Sequence, residues 1–105
     1  MTPLWTIEAM ASAMGAERHG VPPQSISGIS IDTRTIAQGE AFFAIAGDNR
    51  DGHQFVSAAL SAGAAVAVIA ASRRNDFPGD APLLVVPDVL AGLRDLAAAL
   101  KEFST

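Results

Sequence analysis

Two short polar stretches hold the residue types from which a ligand site is built. The first is Asp32, Thr33, Arg34, and the second runs from Asp48 to His53, reading DNRDGH. A guanidinium such as that of Arg34 or Arg50 can grip a phosphate through two parallel N–H donors, and the Thr33 hydroxyl can donate to a phosphate or sugar oxygen. The Asn49 amide both donates and accepts, which suits a base or sugar edge, and backbone N–H groups at a following helix start favour an anion. The same residues also allow a plain structural account. Asp32 can close a turn on its own backbone with Arg34 paired to it, and Asp51 can cap the next helix with His53 in its first turn. Both accounts stand at this level.

Reaction chemistry is harder to find. Cysteine is absent, so disulfides and thiolate nucleophiles or ligands do not arise. His19 and His53 are the only histidines and do not make a metal-ligand pattern, so no metal site is expected. No GxxxxGK[ST] loop, GxGxxG fingerprint or GxSxG elbow occurs, and the single lysine is Lys101. Nothing marks one pair among the acidic residues as an acid–base couple, so no catalytic residue is assigned.

The elements around these loops follow from periodicity. Thr6 is an N-cap for a helix with Ile7, Met10 and Met14 on one face, Trp5 is placed to staple onto Met10, and Gly15 is the stop. Glu17 to Ser25, with Pro22 and Pro23, reads as a turn or loop after at most a short edge strand. Ile29 and Ile31 alternate with Ser30 as a strand running into the first polar loop, and Ala37 to Glu40 is a turn with Gly39 able to take positive φ. AFFAIA (41–46), AVAVIA (65–70) and LLVV (83–86) are apolar at every position, the mark of strands covered on both faces. Phe42, Phe43 and Phe55 belong to the core. A helix capped by Asp51 and ended by Gly63 joins the first two of those strands, the RRNDFPGDAP stretch is a loop, and Asp88 caps a final helix with Val89, Leu93, Leu96, Leu100 and Phe103 on one face. The expected fold is a small single α/β domain over residues 1–105, with a mixed, mostly buried sheet and covering helices; strand order is not readable.

Composition narrows the partners. A chain that is 50% apolar over 105 residues fills a modest core. The net charge is −4, with the arginines interspersed among carboxylates, so no nucleic-acid stripe is expected. No apolar run approaches the roughly eighteen residues of a membrane span, and no basic leader precedes an apolar run, so an intracellular soluble domain is expected.

The motifs SIDTRTIAQGEAFFAIAG (30–47), NRDGHQF (49–55) and AGAAVAVI to Ile69 resemble the first domain of the Mur ligases, cytoplasmic ATP-dependent enzymes of peptidoglycan precursor synthesis. The opening WTIEAMASAMG and the short span between TRTIAQG and DGHQF resemble the D-alanyl-D-alanine-adding branch more than the branch adding the third amino acid, whose first domain is related. Thr33 stands where family members commonly carry serine, which keeps the hydroxyl. The resemblance implies a domain that binds the UDP part of a UDP-N-acetylmuramoyl-peptide, with Thr33, Arg34, Asn49, Arg50, Asp51, Gly52 and His53 facing substrate. It implies no cofactor held by this domain, ATP and Mg2+ used by central and C-terminal domains outside these residues, D-alanyl-D-alanine bound there, a monomer, and a 105-residue piece that does not catalyse alone. The competing expectation is a non-catalytic interaction domain of the same fold.

Overall fold

The computed structural model describes residues 5–20, 25–31, 36–45, 52–77 and 81–103. In chain order the elements are β1 (Trp5–Thr6), α1 (Ile7–Met14), β2 (Glu17–His19), β3 (Ser25–Ile26), β4 (Gly28–Ser30), β5 (Glu40–Phe43), α2 (Val56–Ser61), β6 (Val66–Ala70), β7 (Leu83–Val86) and α3 (Val89–Phe103).

Helix α1 starts and stops where its sequence says it must. The Thr6 hydroxyl accepts from the Ala9 N–H at 3.1 Å, satisfying a donor the helix itself cannot use. Gly15 takes a left-handed conformation with φ 65°, which costs a glycine nothing, and its N–H returns to the helix carbonyls. Between these caps Ile7, Met10, Ala11 and Met14 are buried. The Trp5 staple concerns a side chain outside the described residues. Helix α3 begins the same way, with the Asp88 carboxylate accepting from the N–H groups of Leu90 (2.9 Å) and Ala91 (3.3 Å). Val89 and Leu96 are buried and Leu93 is half-buried; Leu100 and Phe103 of the expected stripe have side chains outside the described residues.

The main sheet has five strands in the order β2-β7-β6-β5-β4, and the short β1 and β3 pair separately. Strands β4, β5, β6 and β7 run parallel, with Ile29 opposite Ala41, Phe42 opposite Ala67 and Val68 opposite Leu84. Within this sheet only β2 is antiparallel, with Arg18 opposite Leu84; it is a short edge strand, and the turn expected at Pro22 and Pro23 lies outside the described residues. The sheet is therefore mixed, as expected.

Period-2 alternation sends the apolar strands to two cores. Phe43, Val66, Val68, Leu84 and Val86 face α1 and α3, while Phe42, Ala67, Ile69, Leu83 and Val85 face α2. Burial of each large side chain contributes about 1.5–3 kcal/mol, and neither face could be polar without losing it. Phe42 and Phe43 are thus core residues on opposite faces, and Phe55 packs half-buried against the α2 side.

Three elements differ from expectation. The run AFFAIA leaves the strand after Phe43, where Ala44 and Ile45 turn the chain. The following helix is preceded by a 3-10 turn, Gly52–Phe55, and α2 proper starts at Val56 with no side-chain cap, while Asp51 lies outside the described residues. The polar run after β6 coils into 3-10 structure over Ala71–Asp76, with Arg73 paired to Asp76 three residues on.

Candidate substrate-binding edge

Parallel strands send all their carboxyl ends to one edge of a sheet, and in open α/β sheets that edge is where ligands bind. Here it is formed by the ends of β4, β5, β6 and β7. The first polar segment follows β4 and the second follows β5, and these two strands are neighbours. Both segments therefore depart from adjacent points on the same edge. Thr33, Arg34, Asn49, Arg50 and Asp51 lie outside the described residues, whereas Gly52 and His53 lie within them.

The platform under these segments is built mainly from backbone. The Ala44 N–H donates to the Val68 carbonyl at 3.0 Å, extending the β5–β6 pairing past the end of β5. The Ile45 N–H turns back to the Phe43 carbonyl at 3.0 Å, and the Gly52 N–H donates to the Ile45 carbonyl at 2.9 Å. A Cβ on Gly52 would sit 2.7 Å from the Ile45 nitrogen and 2.9 Å from the Ala44 Cα. Only glycine admits that approach of two backbones, which accounts for the glycine of the DGH triplet.

His53 is buried, with 6% of its surface exposed. Its Nε2 accepts from the Ala70 N–H at 3.1 Å. A backbone N–H can only donate, so Nε2 is the unprotonated nitrogen and the neutral ring carries its proton on Nδ1. The ring lies 6.4 Å from that of Phe77 at an interplanar angle of 29°.

Along the same edge a recess of about 340 Å3 opens between the ends of β5 and β6 and the first turn of α3. Ala44, Ile45 and Ala70 wall one side, Pro87, Val89 and Leu90 the other, with His53 and Asp88 as the polar groups. Leu90 is 43% exposed, and Ile31, at the end of β4, is 61% exposed. A mainly apolar wall beside polar segments can receive a flat or aliphatic part of a ligand whose charged part is held nearby. Among the described residues no three His, Cys, Asp or Glu side chains approach closely enough to hold a metal ion. His19 stands on β2, opposite Leu83 at the start of β7, where Nδ1 lies 3.3 Å from the Arg74 guanidinium.

Sequence reasoning did not find Ile31 or the start of α3 as parts of this edge. A register signal was available for Ile31, since it is the last residue of its alternation before the polar loop. None was available for Pro87 to Leu90, because their proximity to His53 depends on strand order.

Comparison with known proteins bears on the family and the fold. Residues 25–103 match the model of the Mur ligase family, catalytic domain. A UDP-N-acetylmuramoyl-L-alanyl-D-glutamate–2,6-diaminopimelate ligase of Gloeobacter violaceus is 30% identical over 101 residues, covering 96% of this chain and 20% of the relative. The ligase of that name from Syntrophomonas wolfei is 44% identical over 75 residues, covering 71% of this chain and 15% of its own. Among solved structures, MurF from Acinetobacter baumannii superposes with a TM-score of 0.76 at 29% identity, covering 93% of this chain and 21% of that one. The chain thus spans about one fifth or less of the length of these relatives. With three quarters of its residues inside the family match and a fold shared nearly end to end with a solved member, this chain belongs to the Mur ligase family.

Proposed function

We propose that this domain holds the UDP end of a UDP-N-acetylmuramoyl-peptide for an ATP-dependent ligase of peptidoglycan precursor synthesis. The observation that carries the reading is the placement of the two polar segments after neighbouring parallel strands, at the carboxyl edge of the sheet. Arg34 and Arg50 supply the guanidinium forks for the diphosphate, and Thr33 and Asn49 supply donors and acceptors for sugar or base. Asp51, Gly52 and His53 complete the second segment, and Ile31, which leads into the first, offers an exposed apolar face. The domain contributes placement: holding one end of a long substrate fixes where its reactive end falls. ATP and Mg2+ act outside these residues, whose sequence contains no GxxxxGK[ST] loop.

For the amino acid added, the names of the curated relatives favour the third residue, 2,6-diaminopimelate, joined to UDP-N-acetylmuramoyl-L-alanyl-D-glutamate. The D-alanyl-D-alanine-adding branch, favoured by the opening WTIEAMASAMG and the loop spacing, is the second reading, and the structural match to MurF supports it. The two branches present the same UDP end to this domain, so its residues carry little information about the peptide end.

Titration of the 105-residue chain with UDP, and then with the UDP-muramoyl dipeptide and tripeptide, followed by backbone amide shifts, tests the binding reading. Shifts centred on 32–34 and 49–53 with all three ligands are expected. A spectrum unchanged at about millimolar ligand, weaker than roughly 4 kcal/mol of binding, would leave the interaction-domain account in its place. Turnover by the complete ligase with 2,6-diaminopimelate against D-alanyl-D-alanine decides the branch.

A further inference from the structure

The residue that joins the ends of two central strands at this edge is a histidine used as an acceptor. Ala70 is where β6 stops and the Ala71–Asp76 turn begins, and as the N-cap residue of that turn it makes no side-chain cap. Its N–H is taken instead by His53 Nε2, seventeen positions earlier in the chain, at 3.1 Å. Immediately before His53, Gly52 is fastened to the end of β5 by its N–H to the Ile45 carbonyl and by backbone approach on Ala44. The pair Gly52–His53 therefore ties the end of β5 to the end of β6 at the point where the chain returns from the 46–51 segment.

We infer that His53 is a positioning residue for the UDP-binding edge, acting through its unprotonated Nε2 on the Ala70 N–H; this rests on the UDP reading given above. A ring kept only for packing would need its contact with Phe77 and nothing more. The acceptor adds direction: it sets the rotation of the Gly52–Phe55 turn, where the second polar segment ends, relative to β6. Leaving a partly buried N–H unpaired costs free energy, so the contact is held rather than incidental.

Three substitutions separate the roles. His53→Phe keeps a ring against Phe77 and deletes the acceptor. His53→Gln keeps an acceptor at about the reach of Nε2 and deletes the ring. His53→Asn is polar but too short to reach Ala70, and carries the same test if the Phe variant fails to fold.

The first readout needs no ligand: amide exchange at Ala70 and the amide resonances of Ile45 and Gly52. Phe and Asn are expected to speed Ala70 exchange by about tenfold or more, and Gln to stay within about threefold of wild type. Ala70 exchange unchanged in Phe or Asn, or Gln as fast as Phe, overturns the inference. The second readout is UDP affinity at a temperature where all variants are folded. A loss of about tenfold for Phe and Asn, with Gln within about threefold, is expected. Equal affinity across the series overturns the positioning role even if exchange changes. Wild-type protein that binds no UDP overturns the functional reading instead, and the exchange measurements still decide whether His53 holds Ala70.

Discussion

The two edges of the sheet are built to opposite specifications. At the amino edge of the parallel strands the backbone closes on itself. Gly39 N–H donates to the Gly63 carbonyl at 2.8 Å, Ala65 N–H to the Glu40 carbonyl at 2.8 Å and Ser27 N–H to the Gly39 carbonyl at 3.0 Å. The Glu40 carboxylate, too, is turned inward onto this network, accepting from the Ala37 N–H at 2.7 Å. At the carboxyl edge the chain leaves an open recess, two exposed aliphatic side chains and two polar segments. On the proposed reading, the amino edge spends its polar groups on the fold, while the polar segments that follow the carboxyl edge are left for a partner. A structural edge consumes its donors and acceptors locally, because each unpaired one costs stability. A binding edge keeps some facing outward.

Substitutions at the two edges should therefore separate stability from binding. The largest combined effect is expected from Gly52→Ala, whose Cβ would meet backbone at 2.7 Å with no flexible side chain to give way. Forcing those two backbone segments apart is expected to cost about 1–3 kcal/mol in urea unfolding and to lower UDP affinity by about tenfold or more. UDP affinity unaffected by that change would break the distinction between the edges. Gly63→Ala is the counterpart at the amino edge. Gly63 has φ 111°, and its Cβ would meet Gln38 at 3.2 Å. A loss of about 1–2 kcal/mol is expected with UDP affinity unchanged, and a fall in affinity would show that the amino edge communicates with the site.

Smaller effects come from the helix caps. Asp88→Ala removes the acceptor for two N–H groups at the start of α3 and is expected to cost about 1 kcal/mol, while Asp88→Asn stays within a few tenths. If Asn costs as much as Ala, the charge of Asp88 at the recess matters beyond capping. Thr6→Ala is expected to cost least, about 0.5–1 kcal/mol by thermal unfolding, since its single bond to the Ala9 N–H is exposed. Because α1 packs on the face of the sheet, this change sharpens the comparison by altering stability with no effect on UDP titration.

Most elements were legible because their signals are local. Thr6, Gly15 and Asp88 act on donors and dihedrals within a few residues, so type and position suffice to place them. LLVV is a strand from Leu83 to Val86 as read, because a four-residue apolar run closed at each end by a proline is too short for a helix and fits a strand buried on both faces. The end of β5 was misplaced by the same rule. Ala44 and Ile45 are as apolar as the strand before them, and what ends the strand is the backbone approach of Gly52 from the far side of a polar segment. The 3-10 coil at Ala71–Asp76 was missed for a related reason: its Arg73–Asp76 pair stabilises a turn that charge content alone reads as loop.

For the proposed site, residue type singles out two stretches whose side-chain chemistry suits phosphate and sugar. Guanidinium, amide and hydroxyl chemistry is a property of the side chain wherever the chain puts it. What the sequence determined by itself was therefore most of the larger elements, the caps of α1 and α3, the two polar segments and the family pattern they spell. The order β2-β7-β6-β5-β4 was decided only in three dimensions, because strand pairing joins residues that no local pattern connects. With that order came the adjacency of the strand ends that lead into the two segments, the recess beside α3, and the burial of His53 against Ala70. Each depends on which strand ends are neighbours, and that is settled by how the two apolar faces bury their side chains together.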